Sequence, residues 1–130
     1  MADRSRDWMR QAEADLRHAR NSRSLGDFEW ACFAAHQAAE KAVKACFQKL
    51  HAEVWGHVVS LMLSRLSERV AVPQAVVERA KILDKHYIPA RYPNGFEEGA
   101  PTDLYTSEEA ENAITIAGEV IEFCKSVLAG

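Results

Sequence analysis

Long apolar runs are missing from this sequence. No stretch of about 18 apolar residues occurs, so there is no candidate for a helix that crosses a bilayer. The beginning, Met-Ala-Asp-Arg-Ser-Arg, passes straight into amphipathic sequence without the apolar segment of a secretory signal, and a cytoplasmic location is expected. Cysteine is scarce: Cys32, Cys46 and Cys124 make an odd set spread over expected helix interiors. That suits neither a disulfide framework nor a zinc site, and small buried hydrophobes are the expectation. No HExxH, glycine-rich phosphate loop or nucleophile elbow is present, so neither a metal nor a cofactor is expected. Strand-like alternation, internal repeats and low-complexity tracts are lacking too. A large charge imbalance is also absent: the net charge of -3 argues against non-specific nucleic-acid binding by the whole surface.

What is present is an ordinary globular composition, 48% hydrophobic and 27% charged, in 130 residues, enough for one domain spanning residues 1–130. Residues 1–65 carry ten Lys/Arg against eight Asp/Glu, and residues 66–130 six against eleven. Six arginines between Arg4 and Arg23 face five glutamates between Glu108 and Glu122 in the last helix. Ion pairs between these helices, or a basic strip for RNA or an acidic partner, would each account for the split.

Helical periodicity runs through the chain. Trp8, Ala12, Leu16 and Ala19 make one stripe of a first helix from about Ser5 to Arg23. Leu25-Gly26-Asp27 reads as a stop followed by an N-cap, with the aspartate side chain accepting the first free N–H groups. A long helix from about Asp27 to His51 follows, and its stripe Phe28, Cys32, Ala35, Ala39, Ala42, Cys46 is joined by alanines on other sides. Small residues all round allow close approach from several directions, so this helix is expected at the centre. A short third helix is expected from about His57 to Ser67. A fourth should have Pro73 in its first turn and continue through Leu83 to Tyr87. Pro89 and Pro93 then forbid helix, and a long loop is expected from Ile88 to Thr106, of a length often tied to function. Ser107 is the expected N-cap of the last helix. The expected architecture is an all-α antiparallel up-and-down bundle of four to five helices.

Two groups of residues could carry chemistry. Gln37, Glu40, Lys41 and Lys44 share a non-core side of the long helix. They form either a solvated face with a Glu40–Lys44 pair or a polar wall offering Lys41 and Lys44 to phosphate. Tyr87, Arg91, Tyr92 and Asn94-Gly95 form a second group in the proline-pinned loop, where arginine could hold phosphate bidentately and the tyrosines could stack a base, or where the rings could simply plug the bundle end. His57 follows Gly56 at an expected helix start, as a cap, a packing residue or a catalyst. His18, His36, His51 and His86 are scattered.

Taken together, Asp7-Trp8, Ala14-Asp15-Leu16, the Gly-Asp-Phe turn, Cys32-Phe33-Ala34-Ala35-His36-Gln37-Ala38-Ala39-Glu40-Lys41-Ala42-Val43-Lys44, Gly56-His57 and Leu83…Tyr87…Arg91-Tyr92-Pro93 resemble the HEPN domain family (higher eukaryotes and prokaryotes nucleotide-binding), in its small stand-alone prokaryotic form. The resemblance spans nearly the whole chain. It implies a helical bundle that forms a homodimer, a link to nucleotide or RNA binding, and a minimal nucleotidyltransferase as partner in a two-component, toxin–antitoxin-like system. Many relatives are metal-independent endoribonucleases whose motif is Arg, four to six residues, then His. No histidine follows Arg91 at that spacing. Arg79 and His86 satisfy it formally, but about 10.5 Å apart along one helix and away from the loop. Glu40, Lys44, Tyr87, Arg91 and Tyr92 match the family pattern, whereas the catalytic candidates Arg91, His86 and His57 lack its arrangement. A binding module, a ribonuclease using Arg91 with a displaced histidine, and a structural subunit without nucleotide affinity are the three functional expectations.

Overall fold

The computed structural model describes residues 2–130. Its helices are α1 (Ser5–Ser24), α2 (Phe28–Lys49), α3 (Val59–Leu66), α4 (Gln74–Asp84), α5 (Pro101–Leu104) and α6 (Ser107–Ala129), with a 3₁₀ turn at Pro93–Gly95. No strand occurs among the described residues. α1, α2, α3, α4 and α6 fit the expected bundle, and the four-residue α5 makes a sixth.

α2 is the axis, packed against α1, α3, α4, α5 and α6. Its alanines explain this: Ala31, Ala35, Ala38, Ala39, Ala42 and Ala45 are fully buried on several sides, so neighbouring backbones come close all round. Larger side chains, among them Leu63, Leu66, Leu83, Ile116 and Val120, fill the space between α2 and the outer helices. All three cysteines are buried free thiols. Ion pairs tie α1 to α6 through Arg23–Glu111 (3.2 Å) and Glu13–Lys125 (3.0 Å), and α4 to α6 through Arg79–Glu119 (2.5 Å). Arg79 is thereby committed to α6 as one half of the formal Arg-x6-His match.

The joints correct several sequence expectations. α1 ends in a Schellman motif: Asp27 N–H donates to the Ser22 carbonyl and Gly26 N–H to that of Arg23, with Gly26 at φ +85°. Asp27 is the N-cap of α2, yet its side chain makes no capping bond. The far end of α2 repeats the motif, Ala52 N–H reaching the Phe47 carbonyl and His51 N–H that of Gln48. Here a histidine occupies the left-handed position, at φ 55°. Pro73 precedes α4 as its N-cap, in extended conformation (ψ 133°), instead of lying in the first turn. α4 stops at Asp84, short of Tyr87, because its last N–H groups switch to tighter i→i+3 bonds and Pro89 holds Ile88 away from helix. The loop is less bare than expected, since Pro101 opens α5 and Asp103 accepts the Ala100 N–H at 3.1 Å. The N-cap of α6 is Thr106, not Ser107: Thr106 and Glu109 form a reciprocal capping box at 3.1 and 3.0 Å, and no acid stands three residues after Ser107.

Candidate functional site

One stripe of α2 is polar although it faces protein. Phe33, His36, Glu40 and Lys44 follow at spacings of three and four, and each meets a side chain from another segment or from its own stripe. Those segments are the bend before α3 and the turn after α4, and both are pinned by hydrogen bonds. Asp84 receives the Val59 and Ser60 N–H groups at 2.6 and 3.4 Å and the Ser60 hydroxyl at 2.5 Å. A carboxylate of α4 thus caps the positive end of α3 and fixes the bend beside it. His57 lies in that bend, after Gly56 (φ +97°) and ahead of the helix expected to contain it.

His36 is fully buried, and its Nε2–H donates to the His57 carbonyl at 2.7 Å. Its Nδ1 is left as the acceptor for the Gln37 amide at 3.3 Å. Burial pushes the His36 pKa below the usual 6.5, so the ring is neutral near pH 7. Glu40, 5% exposed, accepts from His57 Nδ1 at 2.8 Å and from the Lys44 ammonium at 3.1 Å. With its Nδ1–H held by a carboxylate, the His57 ring is oriented with Nε2 as its other nitrogen, and half of its side chain is exposed. A buried carboxylate and an imidazole it orients, with no hydrogen bond to Nε2 among the described residues, are the parts of a general base.

Tyr87 and Arg91 complete the group. The Tyr87 ring lies parallel to His57 (centroids 4.5 Å, 15° between planes) and 5.1 Å from His36. The Arg91 guanidinium sits 4.5 Å from both the Phe33 and Tyr87 rings and 5.1 Å from Tyr92, while its Nε donates to the Tyr87 carbonyl at 2.8 Å. No carboxylate lies within salt-bridge range of Arg91 among the described residues. A preorganised cation without an anion, next to an oriented imidazole, is suited to a phosphate group.

The structure brings Glu40, Lys44, His57, Tyr87, Arg91 and Tyr92 together and leaves two candidates out. Lys41, about 100° around the helix from Glu40, is ion-paired with Asp15 of α1 at 2.5 Å. His86 is buried, its Nδ1 sharing a hydrogen bond with the Tyr105 hydroxyl at 3.1 Å, and burial lowers its pKa below 6.5. Tyr105 pulls His86 toward the α5–α6 joint, so the imidazole beside the Arg91 group is His57. Gln37 takes part only through His36 Nδ1. Two residues passed over in the sequence are central: Phe33 as a platform for Arg91, and His36 as the strut for both Tyr87 and the His57 backbone. Their signal was available, since both fall on the stripe of Glu40 and Lys44. The α2 face expected to be either solvated or a wall is a buried wall at Glu40. Among the described residues no three His, Cys, Asp or Glu side chains converge as metal ligands would.

A bundle with an alanine-lined axis and a polar stripe clamped by an Arg-Tyr-Pro loop defines a class of small helical proteins. The HEPN domain pattern matches residues 5–127, and the chain belongs to that family. It is similar to TT1696 from Thermus thermophilus, a crystal structure with 46% identity and a TM-score of 0.94, over 98% of this chain and 100% of that one. The archaeal HEPN homologue ST0689 shares 38% identity at a TM-score of 0.82, over 98% and 99% of the two chains. An HEPN domain protein of Thermotoga maritima shares 37% at 0.78, over 95% and 98%. A protein of Methanocaldococcus jannaschii named "Putative toxin MJ1304" is 25% identical, over 93% of this chain and 86% of its own length.

Proposed function

We propose that the Arg91–Tyr87–His57–Glu40 face binds the phosphate of a nucleotide or RNA strand. In this reading the protein is a homodimeric, cytoplasmic regulatory module that acts with a minimal nucleotidyltransferase in a toxin–antitoxin-like pair. The observation that carries the binding is the Arg91 guanidinium, held over three aromatic rings with no carboxylate in ion-pair range among the described residues. Support for pairing comes from the toxin named among the relatives. Support for a dimer comes from Val58, Leu61, Ile88 and Tyr92, large apolar side chains left 45–48% exposed beside or near the polar group in sequence. Isothermal calorimetry with AMP and a short single-stranded RNA tests the binding. The reading expects affinity that Arg91→Ala reduces at least tenfold, and a wild-type protein that binds neither ligand is a structural subunit instead.

The Glu40–His57 contact favours a second reading, a metal-independent endoribonuclease. His57 Nε2 would take the proton of a ribose 2′-hydroxyl as its oxygen bonds to the adjacent phosphorus. Arg91 would hold the charge on the non-bridging oxygens, and the departing 5′-oxygen would receive a proton from protonated His57 or from water, leaving a 2′,3′-cyclic phosphate. RNA incubated with protein in EDTA decides this: cleavage lost in His57→Ala supports it, and intact RNA with clean protein rejects it.

A further inference from the structure

The α2 stripe continues beyond the phosphate face. Trp8 of α1 lies beneath the Lys44 ammonium, 6.0 Å from ring centre to nitrogen. Trp8, Lys44, Phe47, Gln48, Glu53 and Trp55 line a groove of about 240 Å³ between the ends of α1 and α2 and the segment leading to the His57 bend. Trp55 is 79% exposed, so most of it is open to solvent. The groove is larger than the roughly 150 Å³ cavity that accepts a benzene ring.

We infer that this groove takes a base of single-stranded RNA whose backbone runs along α2 from Arg91, an inference that rests on Arg91 binding phosphate. The exposed Trp55 ring offers a face on which any base can stack, and Trp8, overlaid by the Lys44 ammonium, lines the groove beside it. Lys44 and Gln48 supply donors for ring nitrogens and carbonyls, and Glu53 accepts from an exocyclic amine. Lys44 joins the two places, since its ammonium bonds Glu40 of the phosphate face and overlies Trp8 of the groove. From Phe33, under Arg91, to Lys44 is about 16 Å of helix rise. Stacked nucleotides advance only about 3.4 Å each, so a ligand filling both places is a strand of several nucleotides. AMP occupies the Arg91 end alone.

The test is fluorescence polarisation of a labelled single-stranded RNA octamer in EDTA, alongside calorimetry with AMP, on wild type, Trp55→Ala, Trp55→Phe and Arg91→Ala. Trp55→Ala should weaken the octamer about tenfold with AMP affinity unchanged. Trp55→Phe should keep most of the octamer affinity, and Arg91→Ala should weaken both ligands. If Trp55→Ala binds the octamer like wild type while Arg91→Ala does not, the groove is not a base site and the phosphate face stands. Equal weakening of both ligands by Trp55→Ala also overturns a separate groove. A wild-type protein that binds neither ligand sinks the phosphate face and the groove together.

Discussion

The α1–α2–α6 trunk and the 52–106 segment are built by different physics. In the trunk, long helices pack apolar stripes around an alanine-lined axis, and beside one half-buried pair, Lys41–Asp15, the ion pairs that join α1 to α6 are exposed and worth little. In the segment, elements of 4–11 residues are too short to hold themselves. Side-chain hydrogen bonds fasten them: Asp84 to the start of α3, His36 to the His57 carbonyl, Tyr105 to His86. The segment also supplies His57, Tyr87 and Arg91. Packing makes the scaffold, and directional polar bonds place the site.

The comparison breaks most visibly at a residue that anchors the segment to the trunk. Leu83→Ala empties a fully buried position and should cost about 2–5 kcal/mol, read as a lower urea midpoint. Asp84→Ala leaves two backbone N–H groups and a hydroxyl without their acceptor and should cost about 2 kcal/mol. Hydrogen exchange should then speed up in α3 and the His57 bend while the α2 amides stay protected. Equal acceleration in both would deny that the segment is fastened separately.

Acid should loosen the same fastenings. Burial depresses the folded-state pKa of His36 and His86 below about 6.5, so the unfolded chain binds more protons in the window from 6.5 down to those lowered values. Their contribution to stability is whole above pH 6.5 and is lost as the pH falls through that window. Urea midpoints at pH 7.5 and 5.0 should show the loss, and His36→Gln should flatten it. The smallest effect belongs to the trunk. His51→Gly relieves a left-handed histidine at the end of α2 and should raise stability by about 0.5–1 kcal/mol without changing ligand binding.

The same division decided what could be read from residues alone. Trunk helices announce themselves by spacing, because burial on one side leaves an apolar mark every three or four residues. Their ends were harder, since Thr106 outcompetes Ser107 only through a glutamate three positions on. Tyr87, Arg91 and Glu40 were legible as a pattern. The Glu40–Lys44 pair was legible from its four-residue spacing, but Lys41 stood beside it as an equal phosphate candidate until Asp15 of α1 claimed it. His36 looks in sequence like a stray histidine among alanines. Only the meeting of α2 with the His57 bend, a contact between residues 21 apart, gives it a role.

The central claim is that Arg91, and not the other cations of the long helix's neighbourhood, receives the phosphate. Titrating a labelled single-stranded RNA octamer in EDTA against wild type, Arg91→Ala and Lys41→Ala measures it directly. The account predicts at least a tenfold loss for Arg91→Ala and wild-type affinity for Lys41→Ala. An Arg91→Ala protein that binds like wild type, or a larger loss from Lys41→Ala, would contradict it.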